Sequence, residues 1–239
     1  MRLYLIRHGQ SVNNLIWTET QSDKGRSFDP ELTTLGYAQA ECVAEFLREE
    51  LSTRLPLMGL YNDAARPKIL YTSLMTRAVE TGRVIARVLG VPLIGLSEAF
   101  ESGGLFFADE ATGERRGMAG PNRAHFEKHF PELELPGAVG SAGWYNRPAE
   151  PSEDRPVRVR GVWGELMARH GESDDVIGLI THGGFYNHLL ANLLRMSNKQ
   201  DVWFTLNNCA VSRIDVRENE IAFAYLNRFD FLPPDLITL

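Results

Sequence analysis

The chain has 239 residues, with 25 basic against 31 acidic side chains and a formal net charge of -6. Hydrophobic residues at 44% and charged residues at 23% exclude wholesale disorder and leave enough apolar material for one generous domain or two small ones. The mild acidity argues against a nucleic-acid binder, which would carry a basic stripe, and no run approaches the ~18 consecutive apolar residues of a membrane span.

Taken in chain order, Leu3 to Ile6 is a short apolar run that stops at Arg7-His8-Gly9, which predicts a buried strand ending in a polar turn. Residues 12–31 are mixed and polar and read as a loop with one helical turn. Leu35 to Leu51 places Val43, Phe46, Leu47 and Leu51 at helical spacing. Ile69-Leu70-Tyr71 is a second strand. Ser73 follows as an N-cap, and a helix then carries Leu74, Ala78, Ile85 and Leu89 on one face and closes at Gly90. Pro92 to Leu96 is a third extended piece. The stretch 102–156 holds six of the twelve prolines and eight of the twenty-one glycines, so it reads as an irregular excursion, either a cap over a site or a plain surface insertion. Arg158 to His170 returns to a helical face, Val176 to Ile180 is a strand broken by Thr181-His182-Gly183-Gly184, and Phe185 to Arg195 is helical. Val211 to Val216 and Ile221 to Tyr225 form a hairpin turning at 217–220.

Strands alternating with helices predict a three-layer α/β/α sandwich on a mostly parallel mixed sheet, with the hairpin supplying the antiparallel part. The expectation is a single domain over 1–239 with a cap-like insertion at about 102–156. Cys42 and Cys209 are too few for a disulfide framework or a Cys-rich zinc site and read as reduced, buried small hydrophobes. The start, Met1-Arg2-Leu3-Tyr4, shows no apolar stretch ahead of a cleavage site, so a cytoplasmic protein is expected.

Three strand-to-helix crossings end in charged or imidazole groups: Arg7-His8-Gly9, Ser73 to Arg77, and Thr181-His182-Gly183-Gly184. Ligands of open α/β sheets bind outside the carboxyl ends of strands, where helix N-termini aim backbone N–H groups. If these crossings converge, two arginines, two histidines and several amides share one pocket, a setting for a dianionic phosphate. Arginine's planar fork matches phosphate oxygens, and neighbouring cations keep an imidazole unprotonated and nucleophilic.

Leu5-Ile6-Arg7-His8-Gly9-Gln10-Ser11 resembles the signature of the histidine phosphatase superfamily, in its phosphoglycerate-mutase-like branch. Leu32-Thr33-x-x-Gly36 with Gln39-Ala40, Ser73-x-x-x-Arg77-Ala78-x-x-Thr81, and Thr181-His182-Gly183-Gly184 resemble its later blocks, in the family's order. The resemblance implies that His8 is a nucleophile that becomes phosphohistidine and that Arg7 and Arg77 clamp the phosphoryl oxygens. It further implies that His182 donates to the phosphoryl group and that Asn14 and Gly183 add phosphate contacts. The family's general acid falls on Glu101, counted from Pro92, with Glu98 as the competitor. A phosphomonoesterase acting on a small metabolite is the leading expectation, without metal or cofactor. Gly184, where the family's mutases tend to carry Asn, sets a phosphoglycerate mutase second; a non-catalytic phospho-ligand binder is the third reading. The expected partner is a small phosphate ester, with no nucleic acid and no membrane, and a homodimer stays open. His125 and His129 read as a solvated helix face rather than zinc ligands. Arg115, Arg116 and Arg123 are surface charges or contacts to a second anionic group. Phe106, Phe107, Trp144 and Tyr145 form the excursion's own small core or line the leaving-group pocket.

Overall fold

A computed structural model describes residues 1–52, 67–109, 111–196, 202–218 and 220–239. Its elements are β1 (Arg2–Arg7), α1 (Val12–Thr20), α2 (Thr34–Ser52), β2 (Pro67–Ser73), α3 (Thr76–Leu89), β3 (Leu93–Leu96), β4 (Phe106–Ala108), β5 (Arg115–Gly117), α4 (Arg123–His129), β6 (Leu133–Glu134), α5 (Asp154–His170), β7 (Val176–Thr181), α6 (Gly183–Leu193), β8 (Val211–Arg217) and β9 (Glu220–Arg228). The main sheet runs in the order β6-β3-β2-β7-β1-β8-β9. Its first five strands are mutually parallel, and the β8–β9 hairpin adds two antiparallel strands beside β1.

Successive strand side chains point to opposite faces, and this period of two divides the core in two. Tyr4, Ile6, Leu70, Val176 and Ile180 meet Val43, Leu47, Ala78 and Ile85 of α2 and α3 on one face. Leu3, Leu5, Tyr71, Ile177 and Leu179 meet Val159, Val162, Leu166, Phe185 and Leu189 of α5 and α6 on the other. Each fully buried Leu, Ile or Phe contributes about 1.5–3 kcal/mol of transfer free energy, so the sheet is clamped from both sides. The result is the three-layer α/β/α sandwich with a mostly parallel sheet.

The chain leaves β1 for the α2/α3 face and leaves the neighbouring β7 for the opposite face, into α6. Adjacent parallel strands whose chains diverge in this way open a crevice at their carboxyl ends. That crevice lies between Arg7-His8 and Thr181-His182.

Three local readings differ from the structure. Residues 12–20 form a nine-residue helix rather than a single turn. Ser11 and Asn14 make a reciprocal capping box at its start, and Gln21 ends it in the left-handed region at φ 52°. Ser73 is the last residue of β2, not a helix cap. The N-cap of α3 is Met75, with no side-chain hydrogen bond of its own, and the Asp29 carboxylate supplies the cap by accepting from Thr76 N at 2.9 Å and Thr76 Oγ1 at 2.8 Å. The 102–156 stretch is built into the core. Its β6 pairs in parallel with β3 as the sheet's edge strand, and Leu105, Phe126, Phe130, Trp144 and Tyr145 join the α2/α3-side core. Among the described residues, no helix is long and apolar enough to cross a membrane.

Candidate active site

Arg7 ends β1, His8 follows it, and the turn they enter is fixed by close backbone packing. A Cβ on Gly9 would stand 2.5 Å from Gly36 O, and one on Gly36 would overlap Gln10 O, so only glycine at both positions lets the start of α2 press against this turn. Hydrogen bonds hold the same turn. Gly9 N donates to Thr81 Oγ1 (3.1 Å), Gln10 N to Gln39 Oε1 (2.7 Å), and Thr33 N to Gln10 O (2.9 Å). The Thr33-x-x-Gly36, Gln39 and Thr81 positions therefore act as a frame for His8.

The His8 ring is buried, and its Nδ1 lies 2.7 Å from Gly9 O. A carbonyl only accepts, so Nδ1 carries the proton and Nε2 presents its lone pair. That lone pair accepts from Arg77 Nε at 3.1 Å. Burial, then the Arg77 and Arg7 guanidiniums, hold the imidazole well below its ordinary pKa. Arg77 reaches this point from the first turn of α3. Arg7 Nη1 donates to Leu206 O, and burial together with repulsion from the like charge of Arg77 pushes its pKa down to about 10, against the attraction of Glu101.

His182 is the N-cap residue of α6, fully buried, with its ring centroid 5.0 Å from that of His8. Its Nε2 lies 2.9 Å from Ser73 Oγ, which itself accepts from Met75 N at 3.3 Å. Burial, followed by Arg77 and His8, lowers its pKa well below the usual value. His182 Nδ1 and Arg7 Nε are buried without a hydrogen-bond partner among the described residues. Arg77 and His182 set the starts of α3 and α6 beside this crevice; the Asp29 carboxylate caps the first, and the Glu101 carboxylate accepts from Gly184 N of the second.

The structure separates the two carboxylate candidates. Glu101 lies against the start of α6, its Oε2 accepting from Gly184 N (3.1 Å) and its Oε1 from Ser102 N (2.6 Å). A Cβ on Gly184 would overlap Glu101 Oε1, so the second glycine after His182 is what admits the carboxylate. Glu98 is instead bound by Arg147, with distances of 2.6 and 3.2 Å to its two oxygens, at a half-exposed position. Gly183 is the first residue of α6, beside His182. Asn14 is near the site through Asn208, but its Oδ1 is engaged by Ser11 N and Ser11 Oγ.

Other candidates fall elsewhere. Arg123 donates to Val139 O and Pro136 O and so closes the insertion's own loop. Arg115 stacks on Phe106, and Arg116 is exposed. Trp144 and Tyr145 pack on Phe100, whereas Phe107 faces solvent. The His125 and His129 rings are 4.5 Å apart on an exposed helix face. Among the described residues, no group of three or more His, Cys, Asp or Glu side chains is arranged to hold a metal ion.

Sequence reasoning missed the 206–210 loop that backs the site. Cys209 N and Asn208 Nδ2 both donate to His8 O, at 3.2 and 3.3 Å, and Cys209 adopts φ 58°. The paired Asn207-Asn208 ahead of an apolar strand was the available signal, since asparagine favours tight turns. It also missed Asp29, which burial, partly offset by Arg77, raises to about 6.

The family model of the histidine phosphatase superfamily (branch 1) matches residues 3–228. No curated protein matches the chain significantly. Among solved structures, a mycobacterial glucosyl-3-phosphoglycerate phosphatase superposes with a TM-score of 0.60 at 19% identity, over 95% of this chain and 98% of that one. Phosphoserine phosphatase from Entamoeba histolytica gives a TM-score of 0.60 at 18% identity, over 97% and 99%. YhfR of Bacillus stearothermophilus gives 0.60 at 16%, over 96% and 98%. These likenesses concern the fold, whereas the family match spans nearly the whole sequence. The chain belongs to the histidine phosphatase superfamily, branch 1.

Proposed function

We propose that the protein is a phosphomonoesterase that hydrolyses a small phosphorylated metabolite through a phosphohistidine at His8. The observation that carries this reading is the unprotonated Nε2 of His8, aimed at a guanidinium and kept free of a proton by burial and by Arg77 and Arg7. In the forward step the Nε2 lone pair attacks phosphorus, the bond to the ester oxygen breaks, and Glu101 gives its proton to the departing oxygen. Arg77, released from Nε2 as the phosphorus bonds there, and Arg7 neutralise the equatorial oxygens. With Ser73 donating to Nε2 of His182, the proton of that ring sits on Nδ1, the buried donor without a partner, which serves the phosphoryl group. Water then attacks the phosphohistidine, Glu101 takes a proton from it, and breaking of the P–N bond returns the lone pair to His8. Asn14 and the Gly183 amide assist phosphate binding. The two guanidiniums supply the positive charge, and the reading includes no metal and no cofactor.

Gly184, where the resemblance implies Asn in the family's mutases, favours a phosphatase over a mutase, and its lack of a side chain also lets Glu101 lie at the start of α6. Two solved structures of the same fold are named as a glucosyl-3-phosphoglycerate phosphatase and a phosphoserine phosphatase, in keeping with a small phosphorylated metabolite. The test is steady turnover of an aryl phosphate in excess chelator, with rapid-quench capture of an acid-labile phosphoryl adduct. His8→Ala should abolish both. Strict dependence on added metal, or turnover by His8→Ala near the parental rate, would refute the proposal. Transfer to a second acceptor outrunning phosphate release would move it to a phosphoryl transferase.

A further inference from the structure

The 98–104 segment carries Glu101, and an ion pair formed about fifty residues further along the chain grips it. Arg158, in the first turns of α5, donates through Nη1 to Glu98 O (2.7 Å) and Phe100 O (3.0 Å). Its Nε and Nη2 reach the two oxygens of Glu150, at 2.5 and 2.9 Å, and its guanidinium lies 3.6 Å over the Phe100 ring. Glu150, from the end of the insertion, accepts from Gly103 N (3.1 Å), while its own N donates to Gly103 O (2.9 Å). Both side chains are only 7% exposed. Thr181, the residue before His182, holds the intervening carbonyl of Ala99 through Oγ1 at 2.8 Å. Backbone on both sides of Glu101 is thus fixed by a buried charge pair, and its position relative to His182 by Thr181.

A buried ion pair is weak evidence for stability, because desolvation offsets most of the attraction. Its geometry here serves position. All three donor nitrogens of Arg158 are used, two contacts go to carbonyls just before Glu101, and the shared carboxylate reaches the amide two residues beyond it. We infer that the Arg158–Glu150 pair is a positioning unit for the general acid, coupling the insertion to proton delivery at Glu101. The inference rests on the reading of Glu101 as the proton donor.

The discriminating measurement is the dependence of kcat/KM on the leaving group. Dinitrophenyl phosphate expels a stabilised phenolate that needs no proton, whereas glycerol phosphate expels an alkoxide that does. Arg158→Met should lower kcat/KM for glycerol phosphate by roughly thirtyfold or more while dinitrophenyl phosphate changes by less than about threefold, a part of the 10²–10⁴-fold that a general acid supplies. Glu150→Gln keeps the side-chain shape, removes the charge, and should show the same bias more weakly; it decides the matter if Arg158→Met does not fold. Equal losses on both substrates in either folded variant would overturn the inference, since a structural role alone lowers both together. Glu101→Gln separates the two layers. If it lacks the leaving-group bias, the reading of Glu101 fails and the clamp with it. If it shows the bias and the Arg158 and Glu150 variants do not, the clamp alone fails.

Discussion

Gly184→Ala adds one methyl group where the Glu101 carboxylate packs against the start of α6. That Cβ would overlap Glu101 Oε1 and stand 2.5 Å from Ser102 Oγ and 2.9 Å from Ser102 Cβ. No rotamer relieves an alanine, and the opposing segment is anchored through the carbonyls of Glu98, Ala99 and Phe100. To recover ordinary contact the carboxylate must withdraw by about 1 Å, a displacement that can cost on the order of a hundredfold in rate. Withdrawal also breaks its 3.1 Å bond from Gly184 N. A hundredfold loss is about 2.7 kcal/mol of transition-state stabilisation. We therefore expect Gly184→Ala to lower kcat/KM for glycerol phosphate by about a hundredfold, with a much smaller effect on dinitrophenyl phosphate and on formation of the phosphohistidine from it. Initial rates on the two esters, with a thermal melt to confirm folding, make the test. A folded Gly184→Ala that keeps glycerol phosphate turnover within tenfold of the parent would show that Glu101 does not deliver the proton from this position.

Two further expectations concern stability. The His8 and His182 imidazoles sit below their ordinary pKa in the folded chain, so as pH falls below about 6.5 the unfolded chain binds protons that the folded one does not. Stability is then lost toward acid by about 1.4 kcal/mol per pH unit for each such ring. Asp29, raised to about 6, acts in the opposite sense and is common to both proteins compared. His182→Asn should reduce the acid-side loss by about 1.4 kcal/mol per pH unit between about pH 6 and pH 5, read by urea unfolding; an unchanged slope would remove His182 from the account. A second pair of variants contrasts glycines. Gly36→Ala drives a methyl group into Gln10 O and should destabilise by about 1–3 kcal/mol. Gly164→Ala, inside α5 with open space at its Cβ, should stabilise by about 0.4–1 kcal/mol in the same chemical melts, and a reversed order would contradict the packing described here.

Legibility in the sequence followed the physical strength of each signal. Strand β1 and strand β7 read as unbroken apolar runs because both faces are covered, and the polar residues that stop each run, Arg7-His8 and Thr181-His182, lie where the sheet ends. Gly90 was readable as a helix end because its left-handed φ of 67° favours glycine. Helix α1 was not, since Val12-Asn13-Asn14 lacks an apolar stripe and the helix depends on a capping box made by Ser11. Ser73 looked like a cap by type and position, yet Asp29 caps α3 from 44 residues before Ser73, a contact that chain-order reasoning does not reach. The insertion's glycines and prolines signalled irregular backbone correctly. They gave no sign that Phe126 and Trp144 would be buried under the main sheet or that Leu133-Glu134 would extend it.

The same contrast separates the parts of the site. Arg7, His8, Arg77 and His182 belong to strand-to-helix crossings, and the sheet order alone brings such crossings to one edge. Glu101 follows an edge-side strand of four residues and has no helix immediately after it to fix its direction. Its placement instead depends on Gly184 for space, on Thr181 and Arg158 for its backbone, and on Glu150 to hold Arg158. The histidine and arginine cluster therefore rests on the core sheet, whereas the Glu101 carboxylate rests on contacts that include the insertion. Changes in the insertion should act on the second more than the first. Under the proposed mechanism, 102–156 is then the region where leaving-group preference varies while the histidine and arginine geometry stays fixed.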